Sequence, residues 1–371
     1  MTEFSSDVAP MLLMTPGPTR LPERVLRAGA RPMLHHRTKE FSAELSQMME
    51  LMKPLFGSSN PVLPVHTTGR GATEASICNL FSADDEILFC CNGKFGEMWA
   101  GFAQSYGVVV HRIATDWGRS VSADEVDAFL ASHPNVCAVA MTHCDTSTGV
   151  SNDVAAVAKV ARAREVLLMV DCVSSLGGMP FAFDEWGVDV AITASQKCLM
   201  SSPGLAFVVL SDRAWRAYEN ARLVRNYWDF AAIRNEVTKA RPETPGTPPV
   251  HIVLQVAEAL RMMHEEGLQA VFARHEANAK MTLDGAMALG LSPLFPKLSA
   301  FAPVISALKF PAGVSPQGVR DAMKARGVLT AAAMGTYAQR GFRIGHLGDI
   351  RSSDIQQTLS ALRDALQMTA A

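Results

Sequence analysis

The feature that most restricts the fold of this chain is a regular alternation of short apolar runs and helix-like stretches. The predicted strands span residues 62–66, 86–90, 108–113, 137–141, 166–170 and 188–192, and the predicted helices 73–81, 95–106, 122–132 and 153–164. Apolar runs of this kind are typical of strands that are buried on both faces. The alternation therefore predicts an α/β fold with a mainly parallel sheet covered by helices, in which polar residues at the strand carboxyl ends meet in one crevice.

The pattern changes after residue 210. A helix is predicted over residues 215–227, and a proline-rich loop at 241–249 precedes two long helix-like stretches and then short strands and helices. We therefore expect an N-terminal segment over residues 1–20, a large domain over residues 21–255 and a smaller α+β domain over residues 256–371.

Composition and charge argue against several classes of partner and site. The 371 residues carry a formal net charge of −2 without a basic excess, which disfavours nucleic acid and anionic membranes. No apolar stretch is long enough to span a bilayer, and residues 1–9 lack the features of a signal peptide. Seven cysteines without CxxC spacing argue against a disulfide framework and a metal site, and indicate the cytoplasm.

Three loops that follow predicted strands carry polar residues suited to binding a cofactor. Residues 67–72 place glycines and Arg70 before a helix, where free N–H groups and a cation hold phosphate, although a plain strand–helix turn also contains such glycines. Asp171 ends the most apolar strand, so its carboxylate needs a cationic partner or strong hydrogen-bond donors, such as those of a loop that it caps. Residues 142–149 form a hydroxyl-rich turn that suits a phenolic oxygen or a carboxylate.

A fourth loop contains Lys197, between two apolar strands and among small polar residues. A desolvated lysine has a lowered pKa, and its neutral amine forms Schiff bases with carbonyl cofactors. Taken alone, the residue fits a loop lysine at a strand end better than a Schiff-base lysine. Asp171 lies 26 positions earlier, one strand–helix–strand unit away. That spacing lets Asp171 hold a pyridine nitrogen while Lys197 bonds an aldehyde carbon.

These residues stand in stretches that resemble the class V aminotransferases, which are fold-type I enzymes that use pyridoxal 5′-phosphate. The resemblance is close to the alanine–glyoxylate and serine–glyoxylate (serine–pyruvate) branch of that family. The stretches that carry it span nearly the whole chain: Thr15-Pro-Gly-Pro18, His35-His-Arg37, Asp145-Thr-Ser-Thr-Gly149, Asp171-Cys-Val-Ser-Ser-Leu-Gly-Gly178, Trp186-Gly-Val-Asp189, Ser195-Gln-Lys197, Pro203-Gly204 and Phe342-Arg-Ile-Gly345.

The resemblance implies a role for each matching residue. Lys197 would form the Schiff base with the cofactor and then carry the transferred proton, and Asp171 would pair with the pyridinium nitrogen. Arg343 would clamp the substrate carboxylate as a bidentate fork, with Gly17 beside it. The resemblance also implies that the cofactor contacts the following residues: Phe95 and Val173 at the ring, Thr146 and Ser147 at the phenolic oxygen, and Thr68, Gly69, Arg70, Gln196 and, from a second subunit, Thr247 at the phosphate.

The activity that the resemblance implies is transamination between a small amino acid, alanine or serine, and a 2-oxo acid, glyoxylate or pyruvate, in a homodimer with shared sites. Aminotransferases for 2-aminoethylphosphonate or ureidoglycine share most of these motifs, and the phosphate-binding residues argue against the pyridoxamine–pyruvate variant. A cysteine desulfurase would need a mobile thiol late in the chain, but no cysteine follows Cys198. A nicotinamide dehydrogenase would need the dinucleotide fingerprint, which the sequence lacks.

Overall fold

The computed structural model describes residues 11–295 and 301–369, so the expectation for residues 1–9 lies outside the described residues. The α-helices in these ranges are α1 Glu23–Gly29, α2 Lys39–Phe56, α3 Gly69–Leu80, α4 Lys94–Ser105, α5 Ala123–Ser132, α6 Val154–Ala163, α7 Phe183–Trp186, α8 Asp212–Asn220, α9 Phe230–Val237, α10 Val250–Glu266, α11 Leu268–Ala288, α12 Pro316–Ala325 and α13 Ser352–Thr369. The strands are β1 Leu12–Leu13, β2 Val62–Val65, β3 Glu86–Cys91, β4 Val109–Ala114, β5 Val136–Thr142, β6 Cys144–Asp145, β7 Val150–Ser151, β8 Leu167–Asp171, β9 Val190–Ala194, β10 Ala206–Leu210, β11 Ser292–Pro293, β12 Ile305–Lys309, β13 Val328–Leu329, β14 Ala331–Ala332 and β15 Gly341–Gly345.

Seven of the strands form one sheet in the order β2-β10-β9-β8-β5-β3-β4. Strands β9, β8, β5, β3 and β4 pair in parallel, and β10 is antiparallel to both β9 and β2. Strands β2, β9 and β10 are buried along their whole length, as expected for strands that are covered on both faces. The predicted α/β fold with a mainly parallel sheet is confirmed. The carboxyl ends of β5, β8 and β9 lie side by side at one edge.

Local sequence signals set where several helices begin and end. Ser122 and Glu125 form the capping box predicted at the start of α5, with each side chain bonded to the other's backbone N–H. Helix α2 ends at Gly57, whose φ of 62° lies in the left-handed region that glycine adopts most easily. These helices are therefore fixed by their own residues before tertiary packing adds to their stability.

The prediction of one helix over residues 215–227 is wrong. Helix α8 ends at Asn220, and the chain is non-helical until α9 begins at Phe230. The guanidinium of Arg225 donates to the carbonyl oxygens of Tyr218 and Ala221, both at 3.2 Å, and stacks on the Tyr218 ring. A side chain thus satisfies carbonyls that another helical turn would have used.

A second sheet of four strands, β11-β12-β15-β14, lies in the later part of the chain and packs with α11, α12 and α13 around a separate hydrophobic core. Leu12 and Met14 belong to this second core, and β1 pairs in parallel with β13. The first core extends to Met263 and Val271. The division at residues 20 and 255 stays a prediction. Within residues 11–295 and 301–369, no helix is long and apolar enough to cross a membrane.

Candidate active site

A cavity of about 250 Å³ opens at the carboxyl ends of the parallel strands. Loops that follow four different strands contribute to it, as expected for this type of sheet. It is lined by Thr68, Gly69, Arg70, Thr73, Phe95, Met98, Cys144, Thr146, Asp171, Val173, Ser174, Gln196 and Lys197. Nine of the residues predicted for the site therefore meet in one place, namely Thr68, Gly69, Arg70, Phe95, Thr146, Asp171, Val173, Gln196 and Lys197.

Lys197 lies in the turn between β9 and β10 and extends into this cavity. Its main-chain oxygen accepts hydrogen bonds from Thr19 Oγ1 at 3.0 Å and from the Met200 amide, which fix the turn. Its Nζ donates to the carbonyl oxygen of Pro16. Burial, helped by the nearby charge of Arg343, lowers the Lys197 pKa to about 8. The neutral amine needed for attack on a carbonyl is therefore accessible near neutral pH.

Asp171 is the last residue of β8, and its Oδ1 accepts the Val173 amide at 2.8 Å. Burial raises the Asp171 pKa to about 6 even though this hydrogen bond and Lys197 both favour the ionised form. The raised pKa shows that the ionised carboxylate lacks a charge partner strong enough to offset its burial. A cationic N–H group beside it would stabilise the ionised form, because the two opposite charges offset the cost of burying each other. The environment of Asp171 thus suits a protonated ring nitrogen.

Helix α3 points its N-terminus at the same cavity. The N-cap residue Thr68 makes no side-chain cap, and the first turn of α3 contains no acidic residue. A Cβ on Gly69 would lie 2.6 Å from Val173 Cγ2, so glycine lets the helix approach the β8 loop closely. Gln196 Oε1 is buried and has no hydrogen-bond partner among the described residues, and rotation of this amide would present a donor instead. Free amides, Arg70 and an unpartnered amide group together fit an anion such as phosphate.

Phe95 and the loop between β6 and β7 form a linked unit. Asp145 is fully buried, and its carboxylate accepts from the Phe95 amide at 2.9 Å, the Gly96 amide at 3.4 Å and the Ser147 amide at 2.9 Å. Ser147 Oγ donates to Asp145 and accepts from the Lys94 amide. Ser147 is therefore engaged at the start of α4 and is not among the residues that line the cavity.

Thr146 joins the cavity to Arg343. Its hydroxyl contacts the Ser174 hydroxyl, and its carbonyl oxygen accepts from Arg343 Nη1 at 2.9 Å. Arg343 Nε donates to the Ala332 carbonyl at 2.9 Å, so both contacts of the guanidinium are to neutral oxygens. Burial lowers the Arg343 pKa to about 10. A buried cation held in this way is suited to accept a carboxylate ligand.

Gly17 lies against Lys197. Its φ is 117°, and a Cβ at this position would lie 2.6 Å from Lys197 Cδ. The segment that contains Gly17 thereby sets the position of the lysine side chain rather than lining the cavity itself.

Thr247 lies elsewhere. It is exposed and lines a different cavity of about 300 Å³, beside His66 and Tyr227. The hydroxyl of Thr244 donates to the Gly246 carbonyl at 2.7 Å and so shapes the turn that presents Thr247. Thr247 is therefore not brought to the Lys197 cavity of its own chain.

Several residues that the fold brings to the site have no role implied by the sequence. These are Thr73, Met98, Cys144 and Ser174 in the cavity wall, and Asp145 behind it. Asp145 and Ser174 stand inside motifs already singled out, and this position is the one signal that pointed to them. Their roles depend on which side chain each hydroxyl or carboxylate meets across the fold.

Comparisons with known proteins give a consistent result. A family model described as aminotransferase class-V matches residues 11–335. The chain is 40% identical over 360 residues to a protein of Synechococcus sp. (strain PCC 6716) named "Soluble hydrogenase, small subunit", covering 96% of this chain and 92% of that protein. It is 36% identical over 345 residues to the L-aspartate–glyoxylate aminotransferase of Paracoccus denitrificans (strain Pd 1222), covering 91% of this chain and 86% of that one. A solved structure of alanine–glyoxylate aminotransferase from Nostoc sp. is similar with a TM-score of 0.93 and 29% identity, covering 99% and 98% of the two chains.

Proposed function

The chain belongs to the class V aminotransferases, and from this premise we propose that it moves an amino group from a small amino acid, alanine or serine, to glyoxylate or pyruvate. The proposal rests on one observation: a single cavity holds the Lys197 amine, the Asp171 carboxylate and the N-terminus of α3. An amine of lowered pKa, a carboxylate of raised pKa and an anion site are the three elements that a pyridoxal-phosphate enzyme needs.

The residues of the cavity would share the chemistry with Arg343, which does not line the cavity but donates to the Thr146 carbonyl in its wall. Pyridoxal 5′-phosphate, when bound, supplies a carbonyl for amine exchange and an electron-withdrawing ring. Asp171 would hold a proton on the ring nitrogen, and Phe95 and Val173 would contact the ring. Lys197 provides the amine that binds the cofactor and then moves a proton during the exchange. Arg343 would bind the carboxylate of the substrate. A planar guanidinium can donate two parallel hydrogen bonds to a carboxylate, which fixes the orientation of the substrate.

A direct test uses reconstituted protein. We expect the protein with pyridoxal phosphate to absorb in the visible range and to bleach when an amino donor is added. Borohydride should fix the cofactor to the peptide that contains Lys197. Lys197→Ala should lose the band and at least roughly 10³-fold in rate, because both the amine and the proton carrier are removed. Lys280→Ala, at an exposed lysine paired with Asp284 on α11, is the control and should behave as wild type.

The identity of the substrates is tested by a panel of donors and acceptors. Alanine, serine and aspartate with glyoxylate or pyruvate cover the proposed reaction and the activities in the names of the two aminotransferase relatives. The panel also includes 2-aminoethylphosphonate, ureidoglycine and free pyridoxamine. Turnover with one of these three, and none with alanine or serine, would contradict the proposed substrate class.

We also propose a homodimer in which Thr247 completes the partner's phosphate site. Thr247 is exposed and remote from its own chain's cavity, and Tyr227, which lines the same second cavity, is 74% exposed. Val224, three positions before Tyr227 in the chain, is 90% exposed. Apolar side chains this exposed are typical of interaction surfaces when they lie together.

Mixing two inactive variants tests the shared site. Thr247→Val and Lys197→Ala proteins, unfolded and refolded together, should regain about a quarter of wild-type activity, because half of the dimers are hybrids with one intact site. Recovery would be absent if Thr247 served its own subunit. A monomer in sedimentation would contradict the proposal independently.

The name of the Synechococcus relative indicates a different activity. An activity that depends on a transition-metal or iron–sulfur centre would need a cluster of soft ligands such as cysteine. Across residues 11–295 and 301–369, no group of three or more histidine, cysteine, aspartate or glutamate side chains is placed to hold a metal ion. The aminotransferase proposal rests instead on the residues of the Lys197 cavity. Hydrogen-dependent reduction of a viologen dye by the purified protein would contradict it.

We propose a cytoplasmic location on the basis of the cysteines. All seven are free thiols, and six of them are buried. Fractionation of the source cells tests this proposal.

A further inference from the structure

Two hydroxyl groups meet in the wall of the cavity. Ser174, in the turn after β8, is 2% exposed, and its Oγ contacts Thr146 Oγ1 from the loop between β6 and β7. Both residues line the cavity. Thr146 has a role in the proposed function, whereas Ser174 has none.

The backbones of both residues are fixed, so the two hydroxyls cannot easily separate. The Ser174 carbonyl accepts from Cys198 Sγ at 3.5 Å, and the Thr146 carbonyl accepts from Arg343 Nη1 at 2.9 Å. Arg343 is itself fixed by the Ala332 carbonyl. The contact between the hydroxyls is therefore part of the rigid wall rather than of a mobile side chain.

A hydroxyl has one proton to donate and two lone pairs that accept. If Ser174 donates to Thr146, the proton of Thr146 has to point elsewhere, and the cavity is the side that lies open to it. We propose that Ser174 is a positioning residue that directs the Thr146 proton at the phenolic oxygen of the cofactor. This inference rests on the proposed function, in which Thr146 contacts that oxygen.

The arrangement has a measurable consequence. A donor that points at a phenolate stabilises the charged form, and a chain of two hydroxyls strengthens the second bond. The proton at that oxygen would then leave at lower pH. The visible band of the loaded protein, which changes when that proton leaves, reports this pH directly.

Other ionisable groups also face this region from the surrounding elements and influence the same titration. They are Arg70 on α3, Asp145 and Cys144 on β6, Asp171 on β8, Lys197 and Cys198 in the turn after β9, and Arg343 on β15. All of them are the same in wild type and in the variants below, so a difference between proteins isolates the Ser174 hydroxyl.

The experiment is a pH titration of the visible absorption band of the loaded protein. Ser174→Ala should move the transition upward by about half a pH unit, and Thr146→Ala should move it further in the same direction. The matched control is Ser175→Ala. Ser175 is the next residue in the same buried turn, but its hydroxyl donates to the Cys172 carbonyl at 3.4 Å and is not part of the cavity wall. Ser175→Ala should titrate as wild type.

Two further variants separate positioning from a general structural effect. Ser174→Thr keeps the hydroxyl and should restore the wild-type transition. In a Thr146→Ala background, Ser174→Ala should add no further shift, because its effect passes through Thr146. If Ser174→Ala does not fold, Ser174→Cys replaces the hydroxyl by a weak donor of similar size and should show the same upward shift.

The outcomes are distinct. A wild-type titration for Ser174→Ala, or for Ser174→Cys where the alanine variant does not fold, would overturn the inference, as would an equal shift with and without Thr146. A wild-type protein that never develops a visible band with pyridoxal phosphate would instead overturn the proposed function.

Discussion

At the scale of single residues, the cavity holds two groups whose pKa values move toward each other. Burial lowers the pKa of Lys197 to about 8 and raises that of Asp171 to about 6. The same loss of water acts on both, and it disfavours whichever form is charged. Neither shift helps the protein fold, so both mark a site that is maintained for its chemistry.

The pKa of Lys197 predicts how cofactor binding depends on pH. The neutral amine reacts, so the rate at which pyridoxal phosphate combines with the protein should rise with pH and level off above about 8, rather than above the ordinary lysine value of 10.5. Arg343→Gln removes a cation that lowers this pKa, so the midpoint should move upward by about half a unit or more. Stopped-flow absorbance measures it. A midpoint unmoved by Arg343→Gln would contradict the assigned electrostatic coupling.

Asp171 predicts a stability effect in the cofactor-free protein. Its folded pKa of about 6 lies above the ordinary 3.8, so the native state binds the extra proton between these values and stability falls as pH rises through that window. Above pH 6, Asp171→Asn should therefore be more stable than wild type, by at most about 3 kcal/mol, and the difference should vanish near pH 4. Urea unfolding at both pH values measures this. Equal stability of wild type and Asp171→Asn at pH 7 would show that the buried, ionised Asp171 carboxylate does not destabilise the native state.

At the scale of elements, helix α4 is capped from a distance. Its N-cap, Gly93, has no side chain, and the first amides are satisfied instead by Asp145 at the end of β6 and by Ser147 from the loop that follows. A Cβ on Gly93 would lie 2.3 Å from Asp145 Cγ, so glycine makes room for the carboxylate. The Phe95 amide donates to Asp145, which directly precedes Thr146 in the chain. Phe95 and Thr146, which would both contact the cofactor, are therefore held together as one connected unit.

Asp145→Asn tests that unit. The amide replaces one acceptor oxygen by a donor, so at least one buried N–H loses its partner, which costs about 1–3 kcal/mol of stability. We also expect weaker cofactor binding, because Phe95 and Thr146 lose their common anchor. Asp153→Asn is the matched control, since Asp153 caps α6 away from the cavity by accepting from Ala156. Urea unfolding and fluorescence titration with cofactor measure the two effects. Equal cofactor affinity in both variants would contradict the role of Asp145.

At the scale of the whole molecule, the segment before α1 connects β13 and the four-stranded sheet to Lys197. Leu12 and Leu13 pair with β13, and the Met14 carbonyl accepts from the Gly345 amide at 2.8 Å. The carbonyl oxygen of Pro16 then accepts a hydrogen bond from the Lys197 amine. We propose the division into a segment, a large domain to about residue 255 and a small domain, with the segment as the connection between them.

Gly17→Ala tests this connection. A Cβ would lie 2.6 Å from Lys197 Cδ and the φ of 117° is strained for alanine, so either the segment or the lysine must move. Displacement of a reacting group by about 1 Å costs roughly 100-fold in rate, and we expect a loss of that size in kcat. Gly101→Ala is the control, because a Cβ there meets nothing within 4 Å. It should keep full activity and gain up to about 1 kcal/mol of stability. Full activity in Gly17→Ala would contradict the proposed contact.

Much of this molecule is readable from local pattern. Apolar runs predicted the strands, and capping residues such as Ser122 and Glu125 predicted a helix start, because both signals act between residues close in sequence. The helix predicted over residues 215–227 is wrong because Arg225 satisfies its carbonyls from the side, which periodicity does not report. Leu12 and Met14 pack in the second hydrophobic core, and no local sequence pattern indicates this position.

The fold class, the family resemblance and the position of Lys197 and Asp171 at neighbouring strand ends follow from sequence pattern, since the ends of adjacent parallel strands lie together. The capping of α4 by Asp145 and Ser147, the contact of Ser174 with Thr146 and the position of Thr247 away from its own cavity become visible in the folded chain alone. The two sets of features differ in how far apart in sequence the contacting residues lie. Hydrogen bonds and burial between residues far apart in sequence depend on a three-dimensional approach that no local pattern encodes.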